Sequence, residues 1–381
     1  MSNGPKTYSK VYLDNAATTF LSKEVVDVMH KTNLNLIGNP SSIHSYGRAA
    51  KAQIEVARKS VAQLIQAHPS EIIFTSGGTE ANNTAISMAV KSLGVRRIIT
   101  SKIEHYAILN PLRSLPEDIK VEYVTIDNQG NLDLNHLSKL LKEKQTTLVS
   151  LMHVNNEIGT CAPLQQIADL CGLNNAYFHS DTVQSLPYYN IDVKKLNIDF
   201  LSCSAHKFHG PKGCGFLFVK QNIDAAPFIA GGNQERGLRG GTENIGGICG
   251  LNEAFSNAKK EQVKNTALLS ELKTYFIDQL NHEKIQYSIN GNTVESSPAI
   301  INVSFKTDKD VSMFLFNLDL AGIAISGGSA CTSGNNKGSH VLEAIGVPMD
   351  QPAIRVSFSK YSTTHDIDAL IKTLVKLLLN D

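Results

Sequence analysis

The chain reads as an α/β protein: a large domain with a mostly parallel central sheet flanked by helices, joined to a smaller α+β domain. Three observations predict this. Short apolar runs at 72–75, 97–100, 121–124, 147–153, 177–179 and 200–203 alternate with helical patterns, the signature of βαβ units. The 381 residues exceed the size at which one hydrophobic core stops growing. Polar residues able to do chemistry follow the apolar runs, and the carboxyl ends of parallel strands are where such folds gather ligands.

Taken in order, 11–19 (VYLDNAATT) is a short strand that turns at Asp14 and Asn15, and a helix capped by Ser22 follows. The stretch 38–50 (GNPSSIHSYGRAA) is dense in turn formers and is either a linker or an active-site loop. It runs into an amphipathic helix with Ile54, Ala57, Val61, Leu64 and Ile65 on one face. After the strand at 72–75, Ser76 to Asn83 (SGGTEANN) turns straight into an apolar helix reaching about Leu93. Glycines there let the backbone approach an anion, helix-start amides point at it, and Thr79 adds a hydroxyl. A glycine pair before a helix is also simple turn chemistry, and no Walker lysine is present.

Further along, strands at 97–100, 121–124 and 147–153 and a helix over 133–144 deliver His105 and the Asn155, Asn156, Glu157 cluster to one sheet edge. A helix over 164–171 and a strand at 177–179 bring Asp181 and Gln184 to the same edge. The segment 203–218 (CSAHKFHGPKGCGFLF) sets Lys207 between His206 and His209, beside Ser204, with apolar runs on both sides. An isolated lysine is ordinarily a surface residue. One held between buried elements is positioned to lose its proton and condense with an aldehyde. Asp181 near a pyridinium nitrogen would keep it protonated, and the Gln184 amide suits a phenolic oxygen. Together these groups describe a pyridoxal phosphate site.

Beyond it, 231–244 (GGNQERGLRGGTEN) carries glycines that exclude regular structure and arginines that reach for an anion or a partner subunit. A long helix over 245–281 leads to the smaller domain, with strands at 285–289 and 300–305, a helix over 310–321 and a final helix from Thr364. Its glycine-rich loop 325–340 (ISGGSACTSGNNKGSH) places Cys331 in an exposed setting that favours a nucleophile over a structural thiol. Arg355 follows in a strand, where its fork of donors suits a carboxylate; the plain alternative is a surface ion pair.

Composition sets bounds. Charged residues make up 19% and the formal net charge is +1, so nothing favours nucleic acid, an anionic membrane or a polyacidic partner. No stretch matches a transmembrane helix or signal peptide, and a cytoplasmic location is expected. Six cysteines lack CxxC pairs and Cys/His spacing, which argues against a metal site and against disulfides. Most read as buried, inert thiols, and Cys331 differs.

The segments YLDNAATT, NPSSIHSYGRAA, FTSGGTEANN, EHYA, HVNNEIGT, SDTVQ, SAHKFHGPKGCG, GGNQERGLRGGTEN and SGGSACTS stand in this order across nearly the whole chain. In them the chain resembles the cysteine desulfurases, pyridoxal phosphate enzymes of the class V aminotransferase family, in the branch with a long mobile cysteine loop. The resemblance implies the fold-type I architecture and a homodimer. It divides the chain into a cofactor-binding domain over 18–258 and a small domain over 1–17 and 259–381 that carries the cysteine loop.

By the same resemblance Lys207 is the cofactor-anchoring lysine, His105 stacks on the ring, Asp181 pairs with its nitrogen and Gln184 with its phenolic oxygen. Gly78, Thr79, Ser204 and His206 form the phosphate cup, and Thr242 reaches in from the other subunit. Asn155 and Arg355 hold the substrate carboxylate. Lys207, Cys331 and His105 are the catalytic set, with Cys331 receiving sulfur from L-cysteine and passing it to an acceptor, such as an iron–sulfur scaffold or a tRNA-thiolation protein. Phe20, Gly78 and Gly241 depart from the family's frequent proline, alanine and serine, and GNNKGSH lacks its usual proline. Competing readings are a selenocysteine lyase or aminotransferase of the same fold, and a sulfur-relay scaffold without catalysis.

Overall fold

The computed structural model describes residues 11–379 apart from 222, 224, 308–312, 328–337 and 349. Cys331 lies outside the described residues. In chain order the first half comprises β1 (Val11–Tyr12), α1 (Lys23–Asn35), α2 (Ser45–Leu64), β2 (Ile72–Thr75), α3 (Gly78–Ser92), β3 (Arg97–Thr100), α4 (Tyr106–Arg113), β4 (Lys120–Tyr123), α5 (Leu134–Leu140), β5 (Thr147–Ser150), α6 (Leu164–Leu173) and β6 (Tyr177–Asp181). The second half comprises α7 (Val193–Leu196), β7 (Phe200–Ser204), β8 (Gly215–Val219), α8 (Ile245–Lys260), α9 (Gln262–His282), β9 (Tyr287–Asn290), β10 (Ile300–Phe305), α10 (Phe314–Leu320), β11 (Ile323–Ala324), α11 (His340–Ala344), β12 (Ala353–Ser357) and α12 (Thr364–Leu378).

Seven strands form the main sheet in the order β2-β8-β7-β6-β5-β3-β4. The run from β7 to β4 is parallel, while β8 is antiparallel to both its neighbours. The reversal has a local cause: β7 and β8 are joined by a short glycine-bearing turn rather than a helix, and a turn of that length returns the chain antiparallel. Strands β2, β3, β5, β7 and β8 are buried along their whole length, as continuous apolar runs covered on both faces should be. One large core packs α2, α6 and α8 against a face of this sheet.

A separate core joins α9 and α12 to the antiparallel sheet β12-β10-β9. The two-stranded parallel pair β1-β11 shares this core, so the first described strand packs with the end of the chain.

The short strand at the start of 11–19 covers Val11–Tyr12 and the chain turns at Asp14 and Asn15 as expected, with Asn15 Nδ2 donating to the Tyr12 and Ser357 carbonyls and holding 14–19 as a folded-back segment. Other elements are shorter than the sequence pattern predicts. The helix expected over 245–281 is two helices meeting at Glu261, which ends α8, begins α9 and accepts from Lys360 at 2.9 Å. Apolar spacing continues across the break, so periodicity alone reads one helix. Of the helix expected over 310–321, Phe314–Leu320 is helical and 308–312 fall outside the described residues.

Candidate active site

A cavity of about 510 Å³ opens where the carboxyl ends of β6 and β7 meet the start of α3 and the strand β12. Gly78, Thr79, His105, Asp181, Gln184, Ser204, His206, Lys207 and Arg355 all line it. Residues more than two hundred positions apart in sequence thus share one wall.

Lys207 ends the single 3-10 turn Ala205–Lys207 that follows β7. Its Nζ donates to the Ala16 and Ala17 carbonyls at 2.6 and 2.9 Å. The same segment is gripped elsewhere: Gln184 Nε2 donates to Ala16 O at 2.8 Å, and Thr19 Oγ1 donates to His206 O at 2.8 Å. The folded-back stretch 14–19 is therefore the floor against which the lysine amine is aimed.

Asp181 is the last residue of β6 and is buried. Its Oδ2 accepts from Asn82 Nδ2 at 2.6 Å and its Oδ1 from Val183 N at 3.0 Å, which fixes the carboxylate in one orientation. Beneath it His179 bridges Ser150 and Ser202, and burial pushes that imidazole down to about 4. His105 caps α4: its Nδ1 accepts from Ala107 N at 3.0 Å, so the neutral ring carries its proton on Nε2. Burial lowers its pKa, Asp181 opposes this, and the nearby Lys207 amine adds to it.

At one end the cavity has the form of an anion cradle. Helix α3 starts at Gly78 with no side-chain cap, leaving its first amides free for a ligand. Gly77 before it has φ 148°, and a Cβ there would sit 3.4 Å from Ser204 Oγ, inside the cradle. His206 and Lys212 complete this end, and burial, helped by Lys207 and Lys212, pushes the His206 ring down to about 4.

At the other end Arg355, on β12, is buried. Its Nη2 donates to Asp14 Oδ1 at 2.6 Å and its Nη1 to Asn156 O at 3.0 Å, while Nε has no partner among the described residues. The guanidinium is a cavity group and not the surface ion pair that sequence left open. Asn155 does not line the cavity: its Nδ2 donates to Ile103 O at 2.8 Å and its Oδ1 accepts from Glu157 N and Ile158 N, which occupies the side chain within its own turn. The neighbouring Asn156 is on the wall instead. Thr242 is exposed on this single chain and lies outside the cavity.

The family model Aminotransferase class-V matches residues 11–370. The chain belongs to the class-V aminotransferase family. It is 41% identical over 374 residues to "Cysteine desulfurase IscS" of Dictyoglomus turgidum, covering 97% of this chain and 94% of that protein. It is 40% identical over 370 residues to "Putative cysteine desulfurase IscS 1" of Bacillus subtilis, covering 95% and 97%. Among solved structures, a "NIFS-LIKE PROTEIN" superposes with TM-score 0.89 at 35% identity over 97% of this chain and 99% of that one. "SspA in complex with cysteine" superposes with TM-score 0.81 at 35% identity over 93% and 100%. The class-V fold is that of fold-type I pyridoxal phosphate enzymes, as the sequence predicts.

Sequence reasoning missed several groups on this class-V cavity. Asn82, Tyr106, Lys212 and His340 all line it. His340 had a legible signal: Ser339 is a helix cap followed by a short apolar run, and its Oγ accepts from Val341 N and Leu342 N. The thiols are as expected where described. Cys171, Cys203, Cys214 and Cys249 are buried, and burial raises all of them and Cys161, the last to about 11.

Proposed function

We propose that this chain is a pyridoxal 5'-phosphate-dependent cysteine desulfurase, converting L-cysteine to L-alanine and a persulfide on Cys331 that passes to an acceptor. The observation that carries the reading is the convergence of the Lys207 amine, the fixed Asp181 carboxylate, the anion cradle and the buried Arg355 on one cavity. These residues fit the cofactor. Gly77, at a positive φ that other side chains rarely adopt, lets the backbone come close to Ser204, and the helix-start amides and Ser204 suit a phosphate dianion. When bound, the cofactor withdraws and stores the electron pair released at the substrate carbon.

This chain's residues supply the rest. Lys207 Nζ would hold the cofactor, and its amine is the group placed to move the substrate α-proton. Asp181 would hold the cofactor's ring nitrogen and favour its protonated form, and Gln184 would hold the phenolic side. His105, whose burial disfavours the charged ring, would stack on the cofactor and donate from Nε2. Arg355 receives the substrate carboxylate beside Asp14, with the Asn155 turn setting that wall, and Cys331 attacks the substrate sulfur.

A homodimer in which Thr242 reaches the partner's phosphate cup accounts for its exposure on a single chain. Residues 18–258 then form the cofactor domain, and 1–17 with 259–381 the small domain; the two largest cores fall mainly on either side of this division. The acceptor is an iron–sulfur scaffold or a tRNA-thiolation protein, in the cytoplasm. The test is product analysis with pyridoxal phosphate. Wild type should make alanine from L-cysteine and Lys207→Ala should not. Amino transfer to an added keto acid in place of sulfur release would refute the reading.

A further inference from the structure

One imidazole on the cavity has no part in the reaction as set out so far. His340 begins α11, whose cap Ser339 donates from Oγ to the buried carboxylate of Glu157. His340 Nε2 lies 2.9 Å from the Glu104 carbonyl oxygen. A carbonyl only accepts, so Nε2 carries the ring proton and Nδ1 holds the free lone pair. That Nδ1 is buried with no hydrogen-bond partner among the described residues. The ring is held against Tyr106, with centroids 4.5 Å apart.

A buried acceptor left unsatisfied is costly, and native structures keep such groups chiefly where a ligand or a reaction uses them. His105 cannot serve in its place, since its Nδ1 is already taken by Ala107 N. His340 is thus the cavity imidazole whose basic nitrogen is held ready by a contact on its opposite side.

We propose that His340 is a further catalytic residue, whose neutral Nδ1 accepts a hydrogen bond from the thiol of bound cysteine and takes its proton as the sulfur leaves. The inference rests on the desulfurase reading. While the substrate sulfur stays protonated it is neutral and does not repel the incoming thiolate. In the step itself, an electron pair of the Cys331 thiolate forms the new S–S bond. The substrate Cβ–S bond breaks and its electron pair goes to Cβ. The proton on sulfur passes to His340 Nδ1, leaving an imidazolium beside a persulfide anion. No outside oxidant is needed, because sulfur gives up the pair that carbon keeps, and that carbon takes up a proton from water to end as the alanine methyl.

The test compares holoenzyme forms of wild type, His340→Gln and His340→Ala. The glutamine amide can still donate to the Glu104 carbonyl but cannot take a proton. Alanine formation by His340→Gln should fall at least about tenfold in kcat, toward the span typical of general acid–base groups, with KM for L-cysteine and cofactor absorption unchanged. Added imidazole should restore part of the loss in His340→Ala. Independently of turnover, nitrogen NMR of histidine-labelled wild-type holoenzyme should show the His340 ring protonated on Nε2, with the glutamine variant assigning the signal.

An active wild type with His340→Gln at more than half its turnover overturns the proposal alone. So does a ring protonated on Nδ1, or a loss that imidazole does not relieve and that comes with altered cofactor absorption. A wild type that makes no alanine from L-cysteine overturns the desulfurase reading, and this step with it.

Discussion

Arg355 donates from Nη2 to Asp14 Oδ1 over 2.6 Å, tying strand β12 to the folded-back segment whose Ala16 and Ala17 carbonyls receive the Lys207 amine. The pair couples the two ends of the cavity. The Asp14 carboxylate holds the guanidinium plane while a second carboxylate can approach it, which is work for a planar fork and not for a point charge.

Arg355→Lys should therefore keep a buried cation for Asp14 but lose the fork. KM for L-cysteine should rise about tenfold or more, with cofactor affinity unchanged. Steady-state kinetics beside a pyridoxal phosphate titration check this, and a KM within about twofold of wild type would remove Arg355 from substrate binding.

Gly215 is a packing requirement and not a flexible point. A Cβ there would meet the Cys203 carbonyl oxygen at 2.3 Å and Gly77 Cα at 2.8 Å, both backbone atoms that cannot swing aside. Gly215→Ala should cost about 1–3 kcal/mol of stability. It should also weaken cofactor binding, because the atom it displaces belongs to the anion cradle. A lowered melting temperature with undiminished cofactor affinity would mean that β8 does not support the cradle.

His179 offers a clean pH signature. Burial holds its folded value at about 4, against an ordinary value near 6.5. Below about pH 6.5 the unfolded chain takes up a proton that the folded chain refuses, so this group's effect is absent above that pH and destabilising below it. The stability gap between wild type and His179→Gln should narrow by up to about 1.4 kcal/mol per pH unit as pH falls from about 6.5 to about 4. Urea midpoints across this range measure it, and a constant gap would show that the ring titrates normally.

Much of this architecture is legible in the sequence because its strands are short apolar runs ending in polar residues, and a parallel sheet brings such ends together. Lys207, Asp181 and His105 are found that way. What escapes is set by tertiary contact. Nothing in the order Asn155, Asn156 reveals that the first is consumed by the Ile103 carbonyl and its own turn while the second reaches the wall. The break at Glu261 is equally hidden, since the apolar spacing runs through it and the ion pair to Lys360 comes from the far end of the chain. The cap at Ser339 marks a helix start, but the role of His340 escaped because its chemistry comes from the Glu104 carbonyl and Tyr106, far away in sequence.

The most direct test of the central claim is mass spectrometry of the purified holoenzyme after addition of L-cysteine. The account predicts that Cys331 gains one sulfur atom as alanine appears, and that Cys331→Ala binds the cofactor but gains none. Alanine formation at an undiminished rate in Cys331→Ala, or the added sulfur on a different cysteine, would contradict it.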